Sequence, residues 1–113
     1  MGAREERLGE NEALFREVNE RIAGVAEEFL EIGARDTPVE FNCECGAADC
    51  TEPMSMTLVE YEALRAEPTR FAVVPGHEVP DVERVVDRRP KYLVVEKDDD
   101  DAEEVARESD PRS

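Results

Sequence analysis

Residues 41–50 read FNCECGAADC and contain all three cysteines of the chain, Cys43, Cys45 and Cys50. The single histidine, His77, follows in the segment VVPGHEVP. Three thiolates and one imidazole are the ligand types, in the number, that a closed tetrahedral zinc site uses. We therefore predict that Cys43, Cys45, Cys50 and His77 bind zinc as a structural clip.

The spacing of these residues permits convergence on one ion. Positions i and i+2 of a strand face the same side, so the sulfurs of Cys43 and Cys45 can approach one metal if the backbone bends at Gly46. Cys50 returns after that turn, and a Pro-Gly turn holds His77 on a stiff backbone. The pattern C-x-C-x4-C with a distant histidine is not a common finger pattern. Free buried thiols and a redox dithiol therefore stay open as alternatives.

The same ligand set limits the chemistry. Three thiolates and a neutral imidazole around Zn²⁺ leave no open position for water, so the site is a poor Lewis acid. A Cys–His nucleophile would need a third orienting group and an oxyanion donor, and nothing in the sequence identifies either. We expect a protein that is not an enzyme. If His77 is not a ligand, Asp49 or Glu52 would complete the shell.

The chain is strongly acidic, with 30 acidic and 14 basic residues among 113 and a net charge of -16. The C-terminal segment 98–113 carries -6 of this charge, and the rest of the chain is still well below zero. Such a surface repels phosphate backbones and anionic lipids, so we expect no direct binding to nucleic acid or membrane. A basic protein partner or a divalent cation is compatible with it.

We expect neither a membrane-spanning segment nor an export signal. No stretch approaches the roughly 18 consecutive apolar residues of a membrane-spanning helix. The N-terminus, MGAREERLGENE, is charged from the start and lacks an apolar signal core. We therefore expect a cytoplasmic protein, in a reducing compartment where cysteines serve as metal ligands or free thiols.

Residues 5–32 carry the clearest helical pattern. Apolar side chains recur at alternating spacings of three and four, at Phe15, Val18, Ile22, Val25, Phe29 and Ile32, with Leu8 and Asn11 in the same frame. This a/d stripe predicts a long amphipathic helix that ends near Gly33. The stripe either packs along the chain's own sheet, the usual fate of a single amphipathic helix, or forms a coiled-coil homodimer seam in which Asn11 selects the register.

The segment 37–97 predicts a small antiparallel sheet with one further short helix. Alternation over 39–43 indicates a half-buried strand, and a capping box at Thr57 and Glu60 starts a helix that stops before Pro68. Further strands are expected at 54–56, 69–74, 82–87 and 92–96, the last two as a hairpin unless a short helix forms over 82–89.

Four consecutive aspartates open a C-terminal segment with little to bury, which we expect to be disordered. The predicted organisation is an α+β fold in three parts. These are the N-terminal amphipathic helix over 1–36, a small α+β domain with the Cys3His site over 37–97, and the disordered acidic tail over 98–113.

The strings LFREVNERI, CECG followed by DC, PGHE and YLVVEK together resemble small uncharacterised proteins of actinobacteria. The resemblance covers residues 5–97 and leaves out the tail. Twelve arginines against two lysines suit a GC-rich genome of that kind. The resemblance implies no catalytic residues, and it implies that the CECG and PGHE segments belong to one unit.

These features together predict a cytosolic, non-enzymatic interaction or regulatory module with structural zinc, whose binding surface is the long helix or the acidic exterior. The alternative is a thiol-based redox or metal sensor, whose Cys/His site changes state with oxidation or metal loss. A third hypothesis, an acidic regulator that occupies a basic nucleic-acid-binding surface of another protein, rests on charge alone.

Overall fold

The computed structural model describes residues 3–29, 36–47, 50 and 52–112, without the side chains of 3–8 and 29. Its elements follow the order α1 (Ala3–Phe29), β1 (Val39–Asn42), β2 (Pro53–Met56), α2 (Leu58–Arg65), β3 (Arg70–Val73), β4 (Glu83–Arg88), β5 (Leu93–Lys97) and α3 (Asp100–Glu108). The fold is α+β, as the sequence predicts. Among the described helices, none is long and apolar enough to cross a membrane.

The described strands form two antiparallel sheets where the sequence predicts one. β1 pairs with β2, and a separate three-stranded sheet has the order β3-β5-β4. The predicted hairpin is β4–β5, with a bulge between Val85 and Asp87, and its first arm is a strand and not a helix.

The sheets separate where the cysteine segment begins. Cys43 N still donates to Glu52 O at 3.0 Å, which continues the β1–β2 ladder. The next amide, Glu44 N, donates instead to Ala72 O of β3 at 2.9 Å. The cysteine segment therefore crosses from one sheet to the other and lies at their junction.

The core draws on both sheets and on α2. Its buried apolar side chains include Phe41, Met54, Met56, Leu58, Tyr61, Phe71, Val73 and Val95. The Phe41 and Tyr61 rings stack with centroids 4.7 Å apart. The predicted capping box forms, because Glu60 N donates to Thr57 Oγ1 at 3.1 Å and Thr57 N donates to Glu60 Oε1 at 2.9 Å. It satisfies two amides that have no partner within α2.

The buried face of α1 differs from the predicted stripe by one residue. Among the α1 side chains that the structure describes, the buried ones are Glu12, Arg16, Asn19 and Ala23. Each lies one position after a member of the predicted a/d frame, which rotates the helix by about 100°. Phe15 and Ile22 are consequently half-buried, whereas Val18 and Val25 are exposed. Three members of the predicted stripe lie outside the described part of the chain. The side chains of Leu8 and Phe29 are not described, and neither is residue Ile32.

Polar side chains hold α1 in this orientation. Asn42 N donates to Asn19 Oδ1 at 2.8 Å, and Asn19 Nδ2 donates to Glu44 Oε2 at 2.8 Å. The Arg16 guanidinium lies 4.6 Å from the centroid of the Phe71 ring. Buried polar groups need hydrogen-bond partners. The positions of those partners, which apolar periodicity does not encode, therefore decide the rotation.

Lys97 is buried between two carboxylates from other elements. Its ammonium donates to Glu12 of α1 and to Glu83 Oε1 of β4, the latter at 2.6 Å. Glu83 also accepts a hydrogen bond from Val79 N at 3.0 Å. Among the described residues, Lys97 is the only hydrogen-bond donor to the Glu12 carboxylate. Burial raises the pKa of Glu12 to about 7, although Lys97 opposes the shift.

We expect Glu12 to make the fold less stable as the pH rises. The folded protein binds the Glu12 proton more tightly than the unfolded chain, in which the carboxyl titrates near 4.5. The stabilisation is therefore complete below 4.5 and is lost as the pH rises through about 7, with a size of up to about 3 kcal/mol. Urea denaturation across this range measures it. Glu12→Gln should remove this pH dependence and Glu10→Gln, at an exposed position, should keep it; identical curves for the two variants would contradict the assignment.

The C-terminal segment forms a helix, so its predicted disorder is wrong. Asp99 is the N-cap of α3, and its Oδ2 accepts from Ala102 N at 3.2 Å. Acidic residues fill the first turn, where they complement the positive end of the helix dipole. Ala106 is buried, and Arg16 Nη2 of α1 donates to its carbonyl at 2.6 Å. The run of aspartates is therefore the start of a capped helix that docks on α1.

Candidate metal centre

The four predicted ligand side chains come together in the structure. The sulfurs of Cys43, Cys45 and Cys50 and a ring nitrogen of His77 all lie within 4.8 Å of one another. His77 Nδ1 is 3.6 Å from Cys43 Sγ and 3.7 Å from Cys50 Sγ. None of the three cysteines forms a disulfide, and Cys43 and Cys45 are buried while Cys50 is half-buried. This group can hold one metal ion.

Alternation along the cysteine segment separates two sets of contacts. Cys43 and Cys45 face the cluster, as predicted, while Glu44 between them is fully buried on the other side. Its Oε1 accepts from Ala72 N at 2.9 Å and lies 3.5 Å from Arg65 Nη2. Glu44 therefore fastens the ligand segment to β3 and α2. Sequence reasoning missed this role, because an acidic residue is normally expected at the surface.

Gly46 turns the chain back toward the cluster. Its φ of 82° lies in the left-handed region, which costs glycine little. Its carbonyl accepts from Asn11 Nδ2 of α1 at 2.9 Å, and after it Cys50 N donates to Ala47 O at 3.0 Å. The bend at Gly46 that the metal site requires is therefore present, and Asn11 supports it. One of the two interpretations of the sequence gave Asn11 a different role, to select the register of a homodimer.

A second turn presents His77. Gly76 has a φ of 96°, and His77 N donates to Val74 O at 2.9 Å. Val74 N in turn donates to Cys43 Sγ at 3.2 Å. Hydrogen bonds of this kind favour a thiolate over a thiol. The turn therefore positions the imidazole and also supports a sulfur ligand.

The second nitrogen of His77 faces a carboxylate. Nε2 lies 3.7 Å from Glu52 Oε2, whereas Nδ1 faces the sulfurs. Histidine ligands commonly direct their other nitrogen at a carboxylate, which selects the tautomer that leaves the ligating nitrogen free. Glu52 thus lies beside the ring and not among the four clustered ligand atoms. Asp49, the other predicted replacement for His77, lies outside the described residues.

Contacts among the thiols shift their acidities in opposite directions. The hydrogen bond between Cys43 and Cys45 raises the pKa of Cys43 and lowers the pKa of Cys45. Burial raises the pKa of Cys50. A bound divalent cation deprotonates coordinating thiols outright, so metal binding at this cluster would release protons.

No protein-family model, curated protein or solved structure matches the chain. The resemblance to small actinobacterial proteins therefore stays a prediction. The interpretation of the site depends on its own geometry and on the chemistry of its ligands.

Proposed function

We propose that the chain is a non-enzymatic protein-interaction module whose fold is held by one structural Zn²⁺ on Cys43, Cys45, Cys50 and His77. One observation carries the metal part of the proposal, namely that three sulfurs and an imidazole nitrogen lie within 4.8 Å of one another. Sulfur and nitrogen ligands in this number are typical of structural zinc, whereas Mg²⁺ and Ca²⁺ prefer oxygen.

The distances support a tetrahedral zinc site. Zn–S bonds of about 2.3 Å and Zn–N bonds of about 2.0 Å imply sulfur–nitrogen separations of about 3.5 Å and sulfur–sulfur separations of about 3.8 Å. The two sulfur–nitrogen distances to His77 Nδ1 are 3.6 and 3.7 Å. The other pairs lie within 4.8 Å, so side-chain shifts of about 1 Å would complete the shell.

The position of the cluster favours a structural role. Its cysteines come from the β1–β2 connection and His77 comes from the β3–β4 connection. A metal here would join two sheets that share no strand pairing, and in a small domain coordination adds directly to folding free energy. Four protein ligands also leave no position for a substrate water, which supports a role other than catalysis.

Metal analysis tests the proposal directly. Protein purified without added metal should carry about one equivalent of zinc, and replacing zinc by Co²⁺ should produce the visible absorption of tetrahedral thiolate coordination. His77→Ala should lower the metal affinity and alter the cobalt spectrum, while Asp81→Ala, at an exposed position of the same β3–β4 connection, should change neither. Protein that binds neither metal, or a cobalt spectrum without thiolate bands, would overturn the proposal.

A thiol-based redox or metal sensor is the second candidate function. It is favoured by the exposure of one edge of the cluster, where Cys50 is half-buried and the His77 side chain is 28% exposed. Two thiolates, one hydrogen peroxide and two protons from water would give a disulfide and two water molecules, and the loss of two ligands would release Zn²⁺. In the zinc assay, release that a thiol reductant reverses supports the sensor, whereas retention until unfolding supports the structural clip. Both roles require cysteines that stay reduced. We therefore propose that the protein is located in the cytosol, which is a reducing compartment.

A further inference from the structure

The rotation of α1 leaves an apolar stripe on its exposed face. Five large apolar side chains are exposed among the described residues, and three of them lie on α1: Leu14 at 55%, Val18 at 38% and Val25 at 55%. Their spacings of four and seven place them on one side of the helix. Scattered apolar residues are normal at a surface, but a contiguous patch marks an interaction site.

This stripe borders a groove between α1 and β1. The groove has a volume of about 490 Å³ and is lined by Val18, Arg21, Ile22, Val25, Ala26 and Val39. Apart from Arg21, these residues are apolar. Arg21 pairs with Glu17 on the preceding turn, since its Nη2 lies 3.4 Å from Glu17 Oε1. Grooves of this kind accept the apolar face of an amphipathic helix, with anchors at i, i+3, i+4 and i+7.

The surroundings of the groove are acidic. Glu17 and Glu28 are exposed beside the stripe on α1. Pairing two copies through this face would bring like-charged surfaces together in a protein of net charge -16. Repulsion of this kind opposes self-association and favours a partner of opposite charge.

We propose that this groove binds an amphipathic helical segment of another protein, whose apolar face is flanked by lysine or arginine. Burial of the apolar anchors against the stripe would supply affinity. Cationic flanks facing Glu17 and Glu28 would supply selectivity and a fast encounter. The inference rests on the proposed interaction role, and it does not depend on the metal.

Fluorescence anisotropy with a synthetic helical peptide of leucine and lysine at heptad spacing tests the groove. Wild-type protein should bind it with 1:1 stoichiometry, and Val18→Glu/Val25→Glu should weaken binding by about tenfold or more. The control is Val59→Glu/Val86→Glu, which should bind as wild type. The two control valines are 56% and 37% exposed, nearly the values of the test pair. Both double variants add the same charge, which by itself would strengthen generic attraction of a basic peptide.

Three results would overturn this inference. Equal binding by both double variants, or no binding to wild type, would mean that the groove does not select a basic amphipathic helix. A wild-type dimer in sedimentation velocity that Val18→Glu/Val25→Glu dissociates would assign the groove to a second copy of the chain. Zinc stoichiometry, measured on the same samples, shows separately whether the proposed clip holds, so failure of the groove and failure of the clip are distinguishable.

Discussion

Replacing Cys43 by serine is expected to lower the Tm of the zinc-loaded protein by more than about 10 °C. A zinc ion that binds only the folded state stabilises it by about 4 kcal/mol when zinc is present at a thousand times its Kd. Serine is a poor zinc ligand, and the exchange also removes the sulfur that accepts from Val74 N. Replacing the Cys43 sulfur by oxygen should therefore remove most of the free energy of unfolding that the metal contributes.

Thermal unfolding followed by circular dichroism, with and without a chelator, measures this effect. Chelation should bring wild type close to the variant and leave Cys43→Ser almost unchanged. Adding His77→Ala to Cys43→Ser should cost less than about 1 kcal/mol further, because ligands of one ion act as a unit. Two results together would contradict the metal site: additive losses of stability in the double variant, and a Tm that does not change when the chelator is added. They would show that both residues contribute only through packing.

Replacing Lys97 by methionine is expected to cost about 3–5 kcal/mol above neutral pH. Lys97 is 2% exposed, and the change would leave two buried carboxylates, Glu12 and Glu83, without their cation. Methionine preserves much of the side-chain volume, so the loss reports mainly on charge. Toward acidic pH the cost should shrink, because protonation removes the uncompensated charge on Glu12, whose pKa burial raises to about 7.

Lys91→Met is the matched control, since Lys91 is exposed and is the other lysine of the chain. Urea denaturation should show a change within about 0.5 kcal/mol for it. The triple variant Lys97→Met/Glu12→Gln/Glu83→Gln should recover most of the stability that Lys97→Met loses. Equal stability of the two single-lysine variants would mean that the buried cluster contributes no net stability.

Features that depend on near neighbours were predictable from the sequence. The capping box at Thr57 and the bend at Gly46 occur where the sequence places them. Cap and turn preferences depend on the backbone conformation of a few adjacent residues, so short strings contain the information. The residues of the Cys/His cluster were also predictable, because cysteine and histidine are the side chains that bind zinc and can be recognised in the sequence.

The orientation of α1 could not be predicted from periodicity. The apolar stripe suggested burial of Val18 and Val25, but the structure buries Glu12, Arg16 and Asn19. Glu12 meets Lys97 across 85 positions of sequence, and Arg16 meets the Ala106 carbonyl across 90. The same distant contacts explain the wrong prediction for the C-terminal segment, whose docking site is a polar face of α1.

The sequence by itself determined the α+β class, the start of α2, the bend at Gly46 and the identity of the candidate metal ligands. Only the tertiary structure decided which face of α1 is buried, how the sheet divides into two, and that the acidic C-terminal segment docks as a helix. The physical reason is that a buried charge is stable only beside a compensating partner. In this protein those partners come from remote segments, and their pairing leaves no periodic pattern in the sequence.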